Sequence, residues 1–265
     1  MPRERVTFGS RLALITLLAL AALAPFRSAG AKTLEEWIAD GDREYAAARL
    51  PEAQRAYAAA VQAAPASLEA LCRLSKSESE LGELRKGDEQ KRTRAAAAEH
   101  ARAAIKVAPD SAAGHVWLSV ALGRQALSEG PKTKLALSRE IKSEVDRTLA
   151  LNPAQGRAWH VLALWNRKLA SLNFIERTVA KTVLGGVPKG ASMENAVADM
   201  QKAIELDPAY VNHRLEQGRT FMQLKRTSDA RRELERAVAL PPSGSPLDPR
   251  YQAEARELLA RLKKN

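Results

Sequence analysis

The sequence predicts an all-α fold built of consecutive helix pairs, and three observations carry that expectation. Hydrophobic residues make up 45% of the 265-residue chain while aromatic residues make up only 5%. Much of the apolar content is alanine, which suits closely packed helices better than a sheet core rich in aromatic and β-branched side chains. Five similar phrases, AAVQAAP, AAIKVAP, TLALNP, KAIELDP and AVALPP, close at Pro65, Pro109, Pro153, Pro208 and Pro242. A proline ring blocks the preceding helical turn, so each phrase reads as the end of a helix. Finally, the stretch from Leu34 to Pro65 places small and bulky residues at the spacing of two helices folded back on each other.

The N-terminus comes first in the chain. MPRERVTFGSR is a charged leader, and Leu12 to Ala24 is an apolar run of 13 residues ended by Pro25. A run of that length fits the apolar region of a secretory signal peptide and is short for a membrane span of about 20 residues. Ala29-Gly30-Ala31 supplies the small-x-small cleavage pattern, which makes residues 1–31 a signal peptide cut before Lys32. The expected location is therefore outside the cytosol, in a bacterial periplasm. The alternative is a chain held at the membrane by an uncleaved N-terminus.

The next stretch is a complete repeat unit. Counting Leu34 as position one, Trp37 stands at four, Gly41 at eight, Ala53 at twenty, Tyr57 at twenty-four, Ala60 at twenty-seven and Pro65 at thirty-two. Gly41, Ala53 and Ala60 are small where two helices approach, while Trp37 and Tyr57 fill the gaps between them. This is the pattern of a tetratricopeptide-type unit, whose period is about 34 residues. The closing prolines are 44, 44, 55 and 34 residues apart, so the middle units read as the same unit with insertions. The units run over 34–67, 68–111, 112–155, 156–210 and 211–244 within one domain, 32–265. Tyr251, Ala255, Leu258, Leu259 and Leu262 then recur at helical spacing in a capping helix over 249–263, of the kind that exposed array ends require.

The insertions are expected between paired helices. LRKGDEQKRTR and SEGPKTK read as polar, solvated connections. The third insertion differs. Ile175, Val179 and Val183 recur every four residues beside Phe174, which predicts an extra amphipathic helix ended by Gly185, Gly186 and Pro188.

Unit four and its surroundings resemble the tetratricopeptide domain of the regulator of microtubule dynamics family. The resemblance rests on the SLNFIER run at 171–177, the GGVPK segment at 185–189, the helix closing at Pro208 and the LCRLSKS run at 71–77. It implies a non-enzymatic protein whose repeat domain carries a binding groove. It also implies an association with phospholipid binding and transfer.

The residues themselves show no catalytic constellation. There is no glycine-rich phosphate loop, nucleophile elbow or metal-binding histidine pair, and His100, His115, His160 and His213 stand in separate units. No cofactor is expected. The net charge of +11 favours acidic partners. Nucleic acid is not expected, because interleaved aromatic residues are lacking and export argues against it.

In stacked helix pairs the first helix of each unit lines the concave side, from positions two, five, nine, twelve and thirteen. In unit four these are Arg157, His160, Leu164, Arg167 and Lys168; in unit five they are Asn212, Leu215, Arg219, Met222 and Gln223. Arginine suits carboxylate or phosphate, and the apolar members suit an apolar side chain or an acyl tail. Phe174, Ile175, Val179 and Val183 are expected to wall this groove. The function so predicted is a protein-interaction scaffold for a protein or peptide partner in the cell envelope. The alternative is binding or transfer of an anionic phospholipid or fatty acid.

Overall fold

A computed structural model describes residues 32–184 and 190–262, the side chains of residues 183 and 184 excepted. The expected signal peptide lies outside the described residues, as do the 185–189 segment and the side chain of Val183. The described residues form helices only: α1 (Leu34–Ala46), α2 (Leu50–Ala63), α3 (Leu68–Leu84), α4 (Gly87–Val107), α5 (Ala112–Ala126), α6 (Pro131–Leu151), α7 (Gly156–Ala170), α8 (Phe174–Leu184), α9 (Met193–Leu206), α10 (Val211–Gln223), α11 (Thr227–Ala239) and α12 (Asp248–Leu262). None of them is long and apolar enough to cross a membrane.

The helices start where local chemistry can satisfy their free N–H groups. Thr33 and Glu36 cap α1 reciprocally, with Glu36 N donating to Thr33 Oγ1 at 3.2 Å and Thr33 N donating to Glu36 Oε2 at 2.7 Å. Ser67, Ser111 and Ser192 cap α3, α5 and α9.

The pairs are α1 with α2, α3 with α4, α5 with α6, α7 with α9, and α10 with α11. The first helices also pack on one another along the array, α3 on α5, α5 on α7, α7 on α10 and α10 on α12. They make an inner layer, and the second helices make an outer one. Small residues set the approach within pairs. A side chain at Gly218 would stand 2.7 Å from Leu234 Cγ, closer than real contacts allow.

The first and last units share the same tight connection. Ala48 and Lys225 both have φ of 59°, the left-handed conformation that ends one helix and launches the next within three residues. The longer middle units absorb their extra residues differently from the sequence expectation. α3 and α4 run 17 and 21 residues, joined across Arg85 and Lys86, so most of LRKGDEQKRTR is helix. Thr93 and Arg94 within it are buried. Helix elongation gives the charged residues a regular surface and leaves no backbone groups to satisfy in a loop.

The array curls until its ends meet. Leu50 and Leu81 share an apolar cluster with Tyr210, Leu215, Leu247 and Tyr251. The Arg250 guanidinium on α12 donates to the Glu83 carbonyl at the end of α3. The inner layer is therefore largely a second core rather than an open trough.

Candidate functional site

Curling brings polar residues of α1, α3, α5, α7 and α10 together on the inner face. The Tyr45 hydroxyl donates to Glu80 Oε2 at 2.6 Å, and Lys76 Nζ lies 3.9 Å from the Tyr45 ring centroid. The Arg157 guanidinium sits between two rings, 4.4 Å from the Tyr210 centroid and 5.2 Å from that of Trp117. Aromatic faces attract cations at such distances but do not neutralise them. Arg124 reaches Glu83, with Nε to Oε1 at 3.9 Å, and Glu83 is also taken by Arg94 at 3.1 Å.

Two cations on this face are left over. Among the described residues, Lys76 and Arg157 have no carboxylate within ion-pair distance, yet both are only half-buried and so can be reached from solvent. Burial lowers the Lys76 pKa and Glu80 only partly opposes it, while Arg157 adds to the lowering. Burial acts downward on Arg157 too, but the Tyr210 and Glu80 oxygens overcome it and hold the guanidinium charged. The face thus carries half-desolvated positive charge beside aromatic rings. That arrangement fits a carboxylate or another oxyanion placed against Arg157.

Among the residues expected to line a groove, Arg167 and Arg219 are already spoken for. The Arg167 guanidinium, 7% exposed, pairs with Glu216 and donates to the Glu216 carbonyl at 2.9 Å and to Thr220 Oγ1 at 3.1 Å. Arg219 joins Glu216 and, at 2.6 Å, Glu254 of α12. Burial works against a charged Glu216, but the two guanidiniums outweigh it and lower its pKa.

His160 is buried and its Nδ1 lies 2.8 Å from Nδ1 of His213. Burial, with Arg157 and Arg167 nearby, pushes the His160 pKa down to about 3, and burial together with His160 lowers that of His213. His213 Nε2 is buried without a protein partner. The tautomer in which His213 Nδ1 donates to His160 leaves only a bare lone pair there, which is cheaper than an orphan N–H.

The remaining expected residues are dispersed. Leu215 is fully buried, Leu164 and Met222 pack on protein neighbours, Asn212 is half-buried, and Lys168 is exposed. The insert does not wall the inner face. Helix α8 packs on α6 in the outer layer, because Val179 and Ala180 complete the cluster around Leu135, Ile141 and Leu169. Phe174 and Ile175 point away from that cluster and are 85% and 72% exposed.

The residues that sequence reasoning passed over are Tyr45, Lys76, Glu80, Trp117, Arg124, Tyr210 and His213. A signal for several existed. In the registers that begin at Leu34, Leu68 and Ala112, Tyr45 stands at position twelve, Lys76 at nine, and Glu80 and Arg124 at thirteen. These are the inner-face positions already used for units four and five.

Comparison with known proteins agrees with this architecture. The model of the family described as regulator of microtubule dynamics protein 1-3 matches residues 36–263. Regulator of microtubule dynamics protein 3 of Rattus norvegicus is 31% identical over 173 residues, covering 64% of this chain and 36% of that protein. Regulator of microtubule dynamics protein 1 of Bos taurus is 30% identical over 164 residues, 62% of this chain and 51% of its own length. The chain thus spans between about a third and a half of these two relatives. Among solved structures, a thermophilic tetratricopeptide-repeat protein of Thermus thermophilus, TTC0263, superposes with a TM-score of 0.64. At 16% identity, over 88% of this chain and all of that one, it shows the shared fold.

Proposed function

Because the chain belongs to the regulator of microtubule dynamics family, we propose that it is a non-enzymatic tetratricopeptide-type scaffold that holds an acidic segment of a protein partner on its inner face. The observation that carries this reading is Arg157. Of the expected arginine set it is the member with no carboxylate in ion-pair reach among the described residues, and two aromatic rings hold it in place. Lys76 adds a second cation on the same face, and the Tyr45 and Trp117 rings supply apolar surface beside them.

Binding of labelled peptides tests it. A ten-residue peptide with glutamates among apolar residues is expected to bind, and the same peptide with lysines is not. Arg157→Gln should weaken the acidic peptide by between about tenfold and a hundredfold, the scale of one charge-assisted pair worth roughly 1.5–3 kcal/mol. Equal binding of both peptides, or an unchanged Arg157→Gln, would overturn the reading. Phospholipid or fatty acid on the same face has less support, because Leu215 and Met222 are occupied by the cluster around Tyr251 and Leu247.

The reading includes export, on the leader of residues 1–31. Protein isolated from its own host is expected to begin at Lys32. An N-terminal peptide that still contains Leu12 to Ala24 would favour the anchored alternative.

A further inference from the structure

The outer layer carries a feature that the inner-face reading does not use. Helix α8 presents two large apolar side chains, Phe174 and Ile175, adjacent on its first turn and 85% and 72% exposed. They are not loosely held. Asn173 and Glu176 cap the helix reciprocally, with Glu176 N donating to Asn173 Oδ1 and Asn173 N to Glu176 Oε2, both at 2.9 Å. The Arg177 side chain donates to the Leu172 and Ala170 carbonyls, and Val179 and Ala180 seat the helix on α6. The exposed pair is therefore fixed in position without a partner among the described residues. Leu84, Val107 and Leu127, the other exposed large apolar side chains described, stand on three different helix ends.

The charge around the pair is one-sided. On α6, which α8 contacts, Lys132, Lys134 and Arg139 are exposed. Along α8, Arg177 and Lys181 are exposed as well, and so is Lys168 on α7, six residues before Phe174 in the sequence. Within 131–139 and 168–182 the only acidic residue is Glu176, and it is used as a cap. None of the six cations is in an ion pair among the described residues. Two bulky apolar residues on an amphipathic helix, flanked by cations free of counter-charges, fit one surface in particular. In an anionic bilayer the headgroups take the lysines and arginines, and the boundary with the acyl chains takes the apolar side chains.

We propose that α8 docks the array on an anionic membrane surface, inserting Phe174 and Ile175 among the headgroups while Lys132, Lys134 and Lys181 face them. A protein surface would ask for complementary shape. A lipid surface asks only for apolar tips and positive charge, and those are what α8 shows.

Co-sedimentation with vesicles tests this. The full chain as its host makes it is mixed with vesicles of phosphatidylcholine alone, or with about 30% phosphatidylglycerol. Binding is expected only to the anionic vesicles and should fall as salt is raised. The double variant Phe174→Ser, Ile175→Ser should lose at least tenfold in partition with an unchanged thermal midpoint, because both side chains are exposed. Lys132→Glu with Lys181→Glu should lose a similar factor. Arg157→Gln should leave vesicle binding unchanged, so this proposal and the inner-face reading fail separately. Three results would overturn it: no binding to anionic vesicles, equal binding to neutral ones, or a serine variant that binds normally. If instead the serine variant abolishes self-association seen in wild-type protein without vesicles, the patch is a contact between copies and the proposal is wrong.

Discussion

Replacing Glu216 with alanine is expected to destabilise the array by about 3–5 kcal/mol, the cost of removing one partner from a buried ion pair. Glu216 is 6% exposed and carries the charge that Arg167 and Arg219 share. Without it Arg167, itself buried, has no carboxylate in reach and keeps only the Glu216 main-chain carbonyl and Thr220 Oγ1. At roughly 2–4 °C per kcal/mol for a domain of this size, the thermal midpoint should fall by about 10 °C. Arg167→Met should cost less, because Arg219 still pairs with Glu216 and a methionine side chain refills much of the volume. Equal losses from the two variants would mean that the carboxylate is not the hub of the network.

Acid should weaken the same seam between α7 and α10. His160 and His213 are held neutral in the folded chain, His160 down to a pKa of about 3. The unfolded chain therefore takes up protons at a higher pH than the folded one. The stability this contributes is complete above the ordinary histidine value of about 6.5 and is lost as pH falls below it, by up to ~1.4 kcal/mol per pH unit for each histidine. Arg157, Arg167, Arg124 and Arg214 surround the pair, so a second positive charge there finds no compensation. His100 has the opposite sign. Its hydrogen bond to Glu78 raises its pKa, so its contribution is present below about 6.5 and is lost at higher pH. Between pH 6.5 and 5 the buried pair should dominate. Denaturant midpoints over that range should drop for the wild type and drop about half as steeply for His160→Gln, whose amide keeps a hydrogen-bonding group beside His213. An unchanged slope in that variant would contradict the assignment.

Much of the fold was legible because it is local. The closing prolines and the small residues at helix crossings act within one unit, and sequence spacing reports them directly. The inner face was less legible because it depends on curvature. Position counting identified Arg157, His160 and Arg167, but not that the array closes far enough to bring Tyr45 and Glu80 of the first two units to Tyr210, where the fourth unit meets the fifth. Nor does spacing reveal that Arg167 and Arg219 are neutralised by Glu216, whereas Arg157 is not. The insert shows the same limit. Its periodicity gave the helix, but the partner of its apolar face was set by α6, a neighbour that the insert's own sequence does not name. Phe174 and Ile175 belonged to the same apolar pattern, and only the packing separates them from Val179.

The most direct measurement of the central claim is photo-cross-linking from the inner face. A benzophenone side chain placed at Trp117, which lies against Arg157, should form an adduct with an acidic peptide. The same group placed at Arg147, exposed on the outer helix α6, should not. Excess unlabelled acidic peptide should abolish the adduct. Adducts from position 147 and none from 117 would put the partner on the outer layer and contradict the account.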